Sequence, residues 1–251
     1  MSRFPRTGAA DFFALRATWG GAAASTRRWL TRGGRSPDVG RKCDVVGDNT
    51  ADVWGLISDV HGNYVALEQA LRTLGVAGAQ RLAFLGDYLG RGDSDRCVQR
   101  IRDVADVAIV GNRDLDWQDR VAPASKAWVL QLPRTACAGP IVLSHGDPRL
   151  TPALSTSQIG RDFPRVWQAL DQYQRRIWAF GHSHHARMWR KARPELTAEL
   201  LQGQRVELAP EYRYFVNVGT TGLPFPGKGG PSVALVDLAR GIVRQIALQE
   251  V

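Results

Sequence analysis

Short apolar runs recur along the chain from residue 53 onward, and each of them closes on a polar cluster. Runs of about four to eight apolar residues bounded by turn formers are typical of strands that are buried on both faces. The pattern therefore predicts five buried strands in the first part of the chain: Val53–Ser58, Arg81–Leu85, Val107–Val110, Ile141–Ser144 and Ile177–Phe180.

Segments with helical periodicity lie between these runs. One segment places its apolar residues on a single helical face, namely Val65, Leu67, Ala70, Leu71 and Leu74. They predict a helix that is capped by Asn63 and ended by Gly75. Further helices are predicted over Asp93–Val104 and Arg161–Tyr173.

Strand-like segments dominate the chain after Phe180. They are Glu195–Leu208, Tyr214–Val218, Val233–Asp237 and Ile242–Leu248, the last two joined by a tight turn at Ala239–Gly241. The earlier alternation of strands and helices predicts an α/β fold in which the first strands form a parallel sheet. Ligands of such sheets bind beyond the carboxyl ends of the strands.

Residues that can bind a metal follow each of the five predicted strands. The clusters are Asp59-x-His61, Gly86-Asp87-x-x-x-Arg91-Gly92, Gly111-Asn112-Arg113-Asp114, His145-Gly146 and Gly181-His182-Ser183-His184. Four of the chain's five histidines belong to this set, and the fifth, His185, is adjacent to it. Asp and Asn also favour turns and helix caps, so one such residue says little. Metal-binding types at five successive strand ends favour a metal centre.

The donor types predict which metals would bind. Imidazole, carboxylate and amide oxygen suit Mn, Fe or Zn, and thiolate is absent from the set. Two cations about 3.5–4 Å apart can clamp a phosphoryl group and activate a bridging hydroxide as the nucleophile. A carboxylate between the cations offsets their repulsion, and Asp87, central among the predicted ligands, is the best candidate for that role.

In this order, the motifs D-x-H, G-D-x-x-x-R-G, G-N-x-D, H-G and G-H-x-H resemble the calcineurin-like metallophosphoesterases. The resemblance covers about Val53 to Asp237, and the run Ile57–Asn63 is most similar to the small bacterial and archaeal phosphodiesterase branch. It implies a four-layer α/β/β/α sandwich of two mixed β-sheets flanked by helices, spanning residues 51–251. It also implies two divalent metal ions, with Mn first and Fe, Zn, Ni or Mg as alternatives.

The resemblance further implies which residue has which role. One metal would take Asp59, His61, Asp87 and His184, and the other would take Asp87, Asn112, His145 and His182. Asp87 and Arg113 are predicted to serve catalysis. The residues predicted to contact the substrate are Asn63, Arg91, Arg113 and His185, although Arg91 could equally form a surface ion pair and His185 could simply be exposed.

Arg113 departs from the family pattern. The third motif usually carries a His at this position, which is held to protonate the leaving oxygen, and Arg stays protonated at neutral pH. Arg113 can still bind a phosphate oxygen and stabilise developing charge. The expected function is therefore a phosphoester hydrolase, in the first place a phosphodiesterase acting on a small molecule. The alternatives are a protein phosphatase, a dinucleoside polyphosphate hydrolase, or a non-catalytic interaction module such as the retromer subunit built on this fold.

The charge is concentrated at the N-terminus. Residues 1–42 hold eight Arg and one Lys against Asp11 and Asp38, so +7 of the formal net charge of +9 lies there. The remainder is close to neutral, which gives no support to nucleic-acid binding. Accordingly, Trp54, Trp178 and Trp189 are expected in the core and not as platforms for bases.

Residues 1–50 form a basic extension without sustained periodicity. Three interpretations stay open: a transit peptide, a disordered tail, or a segment upstream of the true start codon. We expect the extension to be dispensable for chemistry.

Three widely spaced cysteines, Cys43, Cys97 and Cys137, suggest no disulfide framework. No apolar run is long enough to span a bilayer. The expected location is the cytoplasm, with an organelle left open by the basic extension. The oligomeric state is open as well, a homo-oligomer included.

Overall fold

The computed structural model describes residues 52–146, 170–171, 174–192 and 199–251. The basic extension and most of the predicted helix Arg161–Tyr173 lie outside these ranges, although Leu170 and Asp171 are helical. The first four residues of the predicted strand Glu195–Leu208 are also outside them.

Twelve strands and four α-helices are present in the described part of the chain. The strands are β1 Val53–Ile57, β2 Arg81–Phe84, β3 Val107–Ala108, β4 Thr135–Ala138, β5 Ile141–Ser144, β6 Ile177–Phe180, β7 Arg187–Ala192, β8 Glu199–Leu201, β9 Arg205–Glu207, β10 Tyr212–Asn217, β11 Ser232–Asp237 and β12 Ile242–Ala247. The helices are α1 Tyr64–Val76, α2 Ser94–Val104, α3 Asn112–Asp116 and α4 Pro123–Gln131, with a 3-10 turn at Gln118–Arg120.

The strands form two six-stranded sheets. The first sheet has the order β3-β2-β1-β11-β12-β9, and the second has the order β4-β5-β6-β10-β7-β8. Both sheets are mixed: β1–β2, β2–β3, β5–β6 and β6–β10 pair in parallel, and the other neighbouring strands pair antiparallel. The architecture confirms the two-sheet α/β sandwich that the family resemblance implies.

The first strands pair in parallel as expected, but they are divided between two sheets. β1, β2 and β3 lie in the first sheet, whereas β5 and β6 lie in the second. The chain passes from one sheet to the other through α3, α4 and the hairpin β4–β5, none of which the periodicity predicted apart from β5. The carboxyl ends that carry the polar clusters therefore belong to two sheets.

Alternating residues of the central strands face two different cores. Trp54 and Leu56 of β1 pack between the sheets, while Ile57 packs under the helices of the first sheet. β11 repeats the pattern, with Ala234 inside the sandwich and Leu235 under the helices. This double burial explains why these strands are continuous apolar runs and do not alternate with polar residues.

The cap of α1 follows the sequence prediction, whereas Asp93, predicted inside the second helix, is its cap. The Asn63 side chain accepts a hydrogen bond from the Ala66 amide at 3.0 Å, and Asp93 accepts one from the Arg96 amide at 3.2 Å. α1 runs one residue beyond Gly75, to Val76. Trp54, Trp178 and Trp189 are buried, as expected.

The cysteines differ in part from expectation. Cys97 is free and buried in α2, and burial raises the pKa of its thiol to about 12. Cys137 in β4 is disulfide-bonded, against the expectation of no disulfide. Within the described ranges, no helix is long and apolar enough to cross a membrane.

Candidate metal centre

All seven predicted metal ligands converge where the two sheets meet. They form two groups, and within each group the acidic and imidazole ligand atoms lie within 4.8 Å of one another. The first group is Asp59, His61 and His184; the second is Asp87, His145 and His182. Asn112 joins the second group, because its Oδ1 lies 2.9 Å from His182 Nδ1.

The first group is compact and almost completely buried. His184 Nε2 lies 3.1 Å from Asp59 Oδ1 and 3.2 Å from His61 Nε2. His184 Nδ1 donates a hydrogen bond to the Leu223 carbonyl at 2.5 Å, which leaves the lone pair on Nε2 directed into the site. Asp59 Oδ1 is buried without a hydrogen-bond partner. An orphaned carboxylate oxygen facing two imidazole nitrogens is the arrangement that a cation would complete.

In the second group, too, a hydrogen bond to a backbone carbonyl orients a histidine. His145 Nδ1 donates to the Leu85 carbonyl at 2.7 Å, so its Nε2 faces the site, 3.2 Å from Asp87 Oδ2. His182 Nδ1 lies 3.3 Å from His145 Nε2.

Asp87 lies between the two groups. Its Oδ2 is 3.2 Å from His145 Nε2 in the second group and 3.8 Å from His61 Nε2 in the first. Its Oδ1 accepts the Arg113 backbone N–H at 2.8 Å. One carboxylate oxygen therefore faces both groups, which supports Asp87 as the bridging ligand.

The ionisable groups perturb one another strongly. Burial lowers the pKa of His145, but the carboxylates of Asp87 and Asp59 outweigh it and raise the value to about 10. Burial raises the pKa of Asp59, yet His145 and then the other imidazoles hold it well below its usual range. Burial, with a further contribution from His145, lowers the pKa of His182 to about 4. The buried carboxylates thus create a negative potential that favours positive charge in the cluster.

The backbone at the site is strained. Six non-glycine residues in the described ranges have positive φ, and five of them are predicted ligands: Asp59, His61, Asp87, His182 and His184, with φ between 51° and 65°. Such conformations cost free energy and concentrate at functional sites. Here these conformations turn the backbone sharply after each strand, so that alternate side chains point into the same site.

Two glycines permit the close approach of the loops. A Cβ on Gly111 would strike the Asp87 carboxylate, and a Cβ on Gly181 would strike the side chains of Ser58 and Asp59. Neither position can carry a side chain without displacing a predicted ligand.

Asp114 holds the second-group loops together. Its buried carboxylate accepts backbone N–H bonds from Asp87, Tyr88, Leu89 and Gly111, at 2.7 to 3.0 Å. Burial, and then the nearby Asp87 charge, raise the pKa of Asp114 to about 6. The pattern of metal-binding residue types predicts no role for Asp114, although its place in the G-N-x-D motif is a sequence signal for it.

A model of the calcineurin-like phosphoesterase superfamily domain matches residues 53–241. The chain belongs to this superfamily. The matched span contains every ligand described above, and the two-sheet architecture agrees with it.

Individual relatives are distant. An uncharacterized protein of Methanocaldococcus jannaschii is 23% identical over 218 residues, covering 72% of this chain and 81% of its own length. A metallophosphoesterase from Sphaerobacter thermophilus superposes with a TM-score of 0.64 at 22% identity, covering 80% of this chain and 89% of that one. A hypothetical protein from Pyrococcus horikoshii OT3 gives 0.57 at 13% identity, covering 79% and 88%. These superpositions show the fold that the superfamily shares.

Each of the four predicted substrate contacts lies within four residues of a predicted metal ligand along the chain. Asn63 donates its amide N–H to the Gly222 carbonyl at 3.2 Å, and Arg91 is exposed after β2. The Arg113 side chain is 55% exposed, and its Nη1 lies 3.6 Å from Asp116 Oδ2. His185 is half-buried and accepts a hydrogen bond from Arg187 Nε at 2.9 Å. Contact of these four with a substrate stays a prediction.

Proposed function

We propose that this chain is a phosphodiesterase that binds two divalent cations and acts on a small phosphoester. Asp59, His61, Asp87 and His184 would hold one cation, and Asp87, Asn112, His145 and His182 the other. The observation that carries this proposal is the position of Asp87 Oδ2, which faces an imidazole of each group. Mn is the first choice of metal, with Fe, Zn, Ni and Mg as alternatives, because the donors are imidazoles and oxygens.

When bound, two cations would supply electrophilic assistance to the phosphoryl group and an activated water. The chain's own contribution is orientation. Hydrogen bonds to the carbonyls of Leu85 and Leu223 fix which nitrogen of His145 and His184 is available. The Arg113 N–H holds Asp87 Oδ1 and leaves Oδ2 for the site.

Arg113 supports the choice of a diester. It follows Asn112 at the start of α3, its backbone N–H donates to Asp87 Oδ1, and its guanidinium is exposed to solvent. A fixed cation at this place can stabilise charge on a phosphate oxygen but cannot donate a proton at neutral pH. Leaving groups that need little protonation would then react best. We place Arg113 on the leaving-group side of the site.

The test is a metal titration of the full chain. Protein freed of metal with a chelator receives Mn²⁺, Zn²⁺ or Mg²⁺ and is assayed on bis(p-nitrophenyl) phosphate, p-nitrophenyl phosphate, a phosphopeptide and a dinucleoside polyphosphate. We expect metal-dependent hydrolysis that is faster on the diester. The matched control is Asp87→Asn, prepared identically.

Three results would contradict the proposal in different ways. Faster monoester or phosphopeptide hydrolysis would indicate a phosphatase, and a preference for dinucleoside polyphosphates would indicate that class of hydrolase. Absence of turnover with every metal would leave the non-catalytic module.

A further inference from the structure

An apolar loop lies against the first ligand group, and its side chains have no role in the mechanism above. It is the segment from Leu223 to Lys228, called here the 223–228 loop. Leu223 and Phe225 are 41% and 40% exposed, which makes them two of the few large exposed apolar side chains in the described part of the molecule. Exposed aromatic rings beside a polar site are typical of ligand contacts.

The loop is built firmly onto the end of β1. The amides of Thr221 and Gly222 donate to the carbonyls of Ser58 and Asp59 at 2.9 and 3.0 Å. The Thr220 hydroxyl donates to the Asp59 carbonyl at 2.9 Å and accepts the Leu223 amide at 3.0 Å. The exposed apolar side chains are therefore presented from an anchored backbone.

The Phe225 ring lies parallel to the imidazole of a predicted metal ligand. Its ring stacks on His184 with centroids 4.2 Å apart and an interplanar angle of 0°. Lys228 Nζ lies 5.3 Å from the Phe225 centroid and donates to the Ser183 carbonyl at 3.1 Å. These contacts fix the ring beside the first group while leaving part of it open to solvent.

We propose that Phe225 is a stacking platform for the base of a nucleoside carried on the non-leaving arm of the phosphodiester. This inference rests on the proposed function and deepens it by naming the substrate class. Arg113 lies beside the second ligand group and Phe225 beside the first. If the leaving group departs on the Arg113 side, the other arm of the diester extends toward Phe225.

A nucleoside fits this surface in shape and charge. A base offers a flat aromatic face to the exposed ring, and the ammonium of Lys228 next to that ring favours an anionic phosphoester. Stacking of one base on an aromatic side chain contributes about 5–150-fold to binding. A methyl group on the same arm offers no such face.

The test compares two diesters with the same leaving group. They are thymidine 5′-(p-nitrophenyl phosphate) and methyl p-nitrophenyl phosphate, and the readout is the ratio of their kcat/KM values. We expect the parent to prefer the thymidine ester by about tenfold or more. Phe225→Leu, which keeps an apolar contact with His184, should abolish most of that preference, and Phe225→Trp should retain it. Val76→Ala removes an exposed apolar side chain at the far end of α1 and is the matched control.

The ratio separates recognition from support of the metal ligand. If Phe225 only braces His184, Phe225→Leu lowers both rates equally and the ratio is unchanged, which would overturn the proposal. A parent without preference would overturn it as well.

Failure of the proposed function has its own signature. If neither ester is hydrolysed, the proposed activity is wrong. Base stacking on Phe225 is then tested by calorimetric titration of thymidine 5′-monophosphate into the Mn²⁺-supplemented full chain. Binding at least fivefold weaker in Phe225→Leu than in the parent would support the platform. Equal binding would exclude it.

Discussion

The two buried carboxylates of the site divide their oxygens between the protein and the cavity. Asp59 Oδ2 accepts the His182 N–H at 2.9 Å and leaves Oδ1 without a partner. Asp87 Oδ1 accepts the Arg113 N–H and leaves Oδ2 facing the imidazoles. An asparagine at position 59 or 87 can keep the hydrogen bond from the backbone N–H while removing the negative charge.

Asp87→Asn should therefore fold but lose metal binding. We expect Mn²⁺ to raise the Tm of the parent through preferential binding to the native state, and to raise it little in the variant. Turnover should fall by roughly a hundredfold or more, because the shared charge between the cations is gone. Thermal melts with and without Mn²⁺ check the first point, and Glu207→Gln, an exposed acid in β9, is the control. Near-parental turnover in Asp87→Asn would refute the bridging role.

A second prediction concerns the effect of substitutions at Arg113 on hydrolysis rates. Arg113→Ala should slow diester hydrolysis on the order of 10–1000-fold through lost charge stabilisation. Arg113→Lys keeps the charge without the planar fork and should fall between the two. Arg113→His should gain activity on an alkyl monoester, because a titratable group returns. The measurement is kcat/KM for the four proteins on one diester and one alkyl monoester across pH. If Arg113→Ala matches the parent on both, Arg113 has no mechanistic role.

At the scale of elements, α3 acts through one buried side chain. Asp114→Ala would leave four backbone N–H groups without an acceptor, each costing about 1–3 kcal/mol when buried. We expect the free energy of unfolding to fall by about 3 kcal/mol or more, with weaker metal binding because the Asp87 and Gly111 loops lose their common anchor. Urea denaturation measures the change. Asp116→Ala, an exposed acid in the same helix, should shift it by under about 1 kcal/mol. Equal denaturation midpoints for Asp114→Ala and the parent would contradict this account.

The elements that could be predicted are those whose own residues decide their burial. β1, β5, β6 and α1 carry strong apolar patterns, and the structure has them within a residue or so of the predicted bounds. β7 was not predicted, because its outward residues are charged and only Met188 and Trp189 are buried. Likewise β4, with the sequence Thr-Ala-Cys-Ala, lacks bulky residues, and α3 is mostly polar.

The site was predictable to a similar degree and for a related reason. Ligand types stand next to each strand in sequence, so all seven could be named without knowing the sheets. Contacts that depend on the docking of remote segments left no local signal, such as the Phe225 ring on His184 or the Leu223 carbonyl at its Nδ1. The division of the strands between two sheets was hidden for the same reason, because pairing partners are not encoded within a single run.

At the scale of the whole molecule, the outer face of the second sheet carries a row of buried aromatic side chains. Trp178 and Phe180 stack with centroids 4.4 Å apart, and Phe215 meets Trp178 edge-on at 5.2 Å. Helices α1, α2 and α4 contribute to the core of the first sheet instead.

We predict that a chain starting at Asp52, which lacks Cys43 and therefore leaves Cys137 reduced, folds and keeps its rate on a small diester. The reason is that the matched domain begins at residue 53 and contains every predicted ligand. Circular dichroism, dye binding and the diester assay check this, with the full chain as control. A truncated protein that binds a hydrophobic dye strongly would show that residues 1–51 help to cover the aromatic face, and the domain boundary would move.

Each ligand group takes side chains from both sheets. The first joins Asp59 and His61, which follow β1, to His184, which follows β6; the second joins Asp87, which follows β2, to His145 and His182 of the other sheet. A bound cation would thus act as a cross-link between the two sheets. Such a cross-link stabilises the native state but not a folding transition state in which the two sheets have not yet docked. Mn²⁺ should therefore slow unfolding in urea while leaving the refolding rate nearly unchanged, and stopped-flow kinetics would detect an acceleration of refolding if the sheets docked earlier.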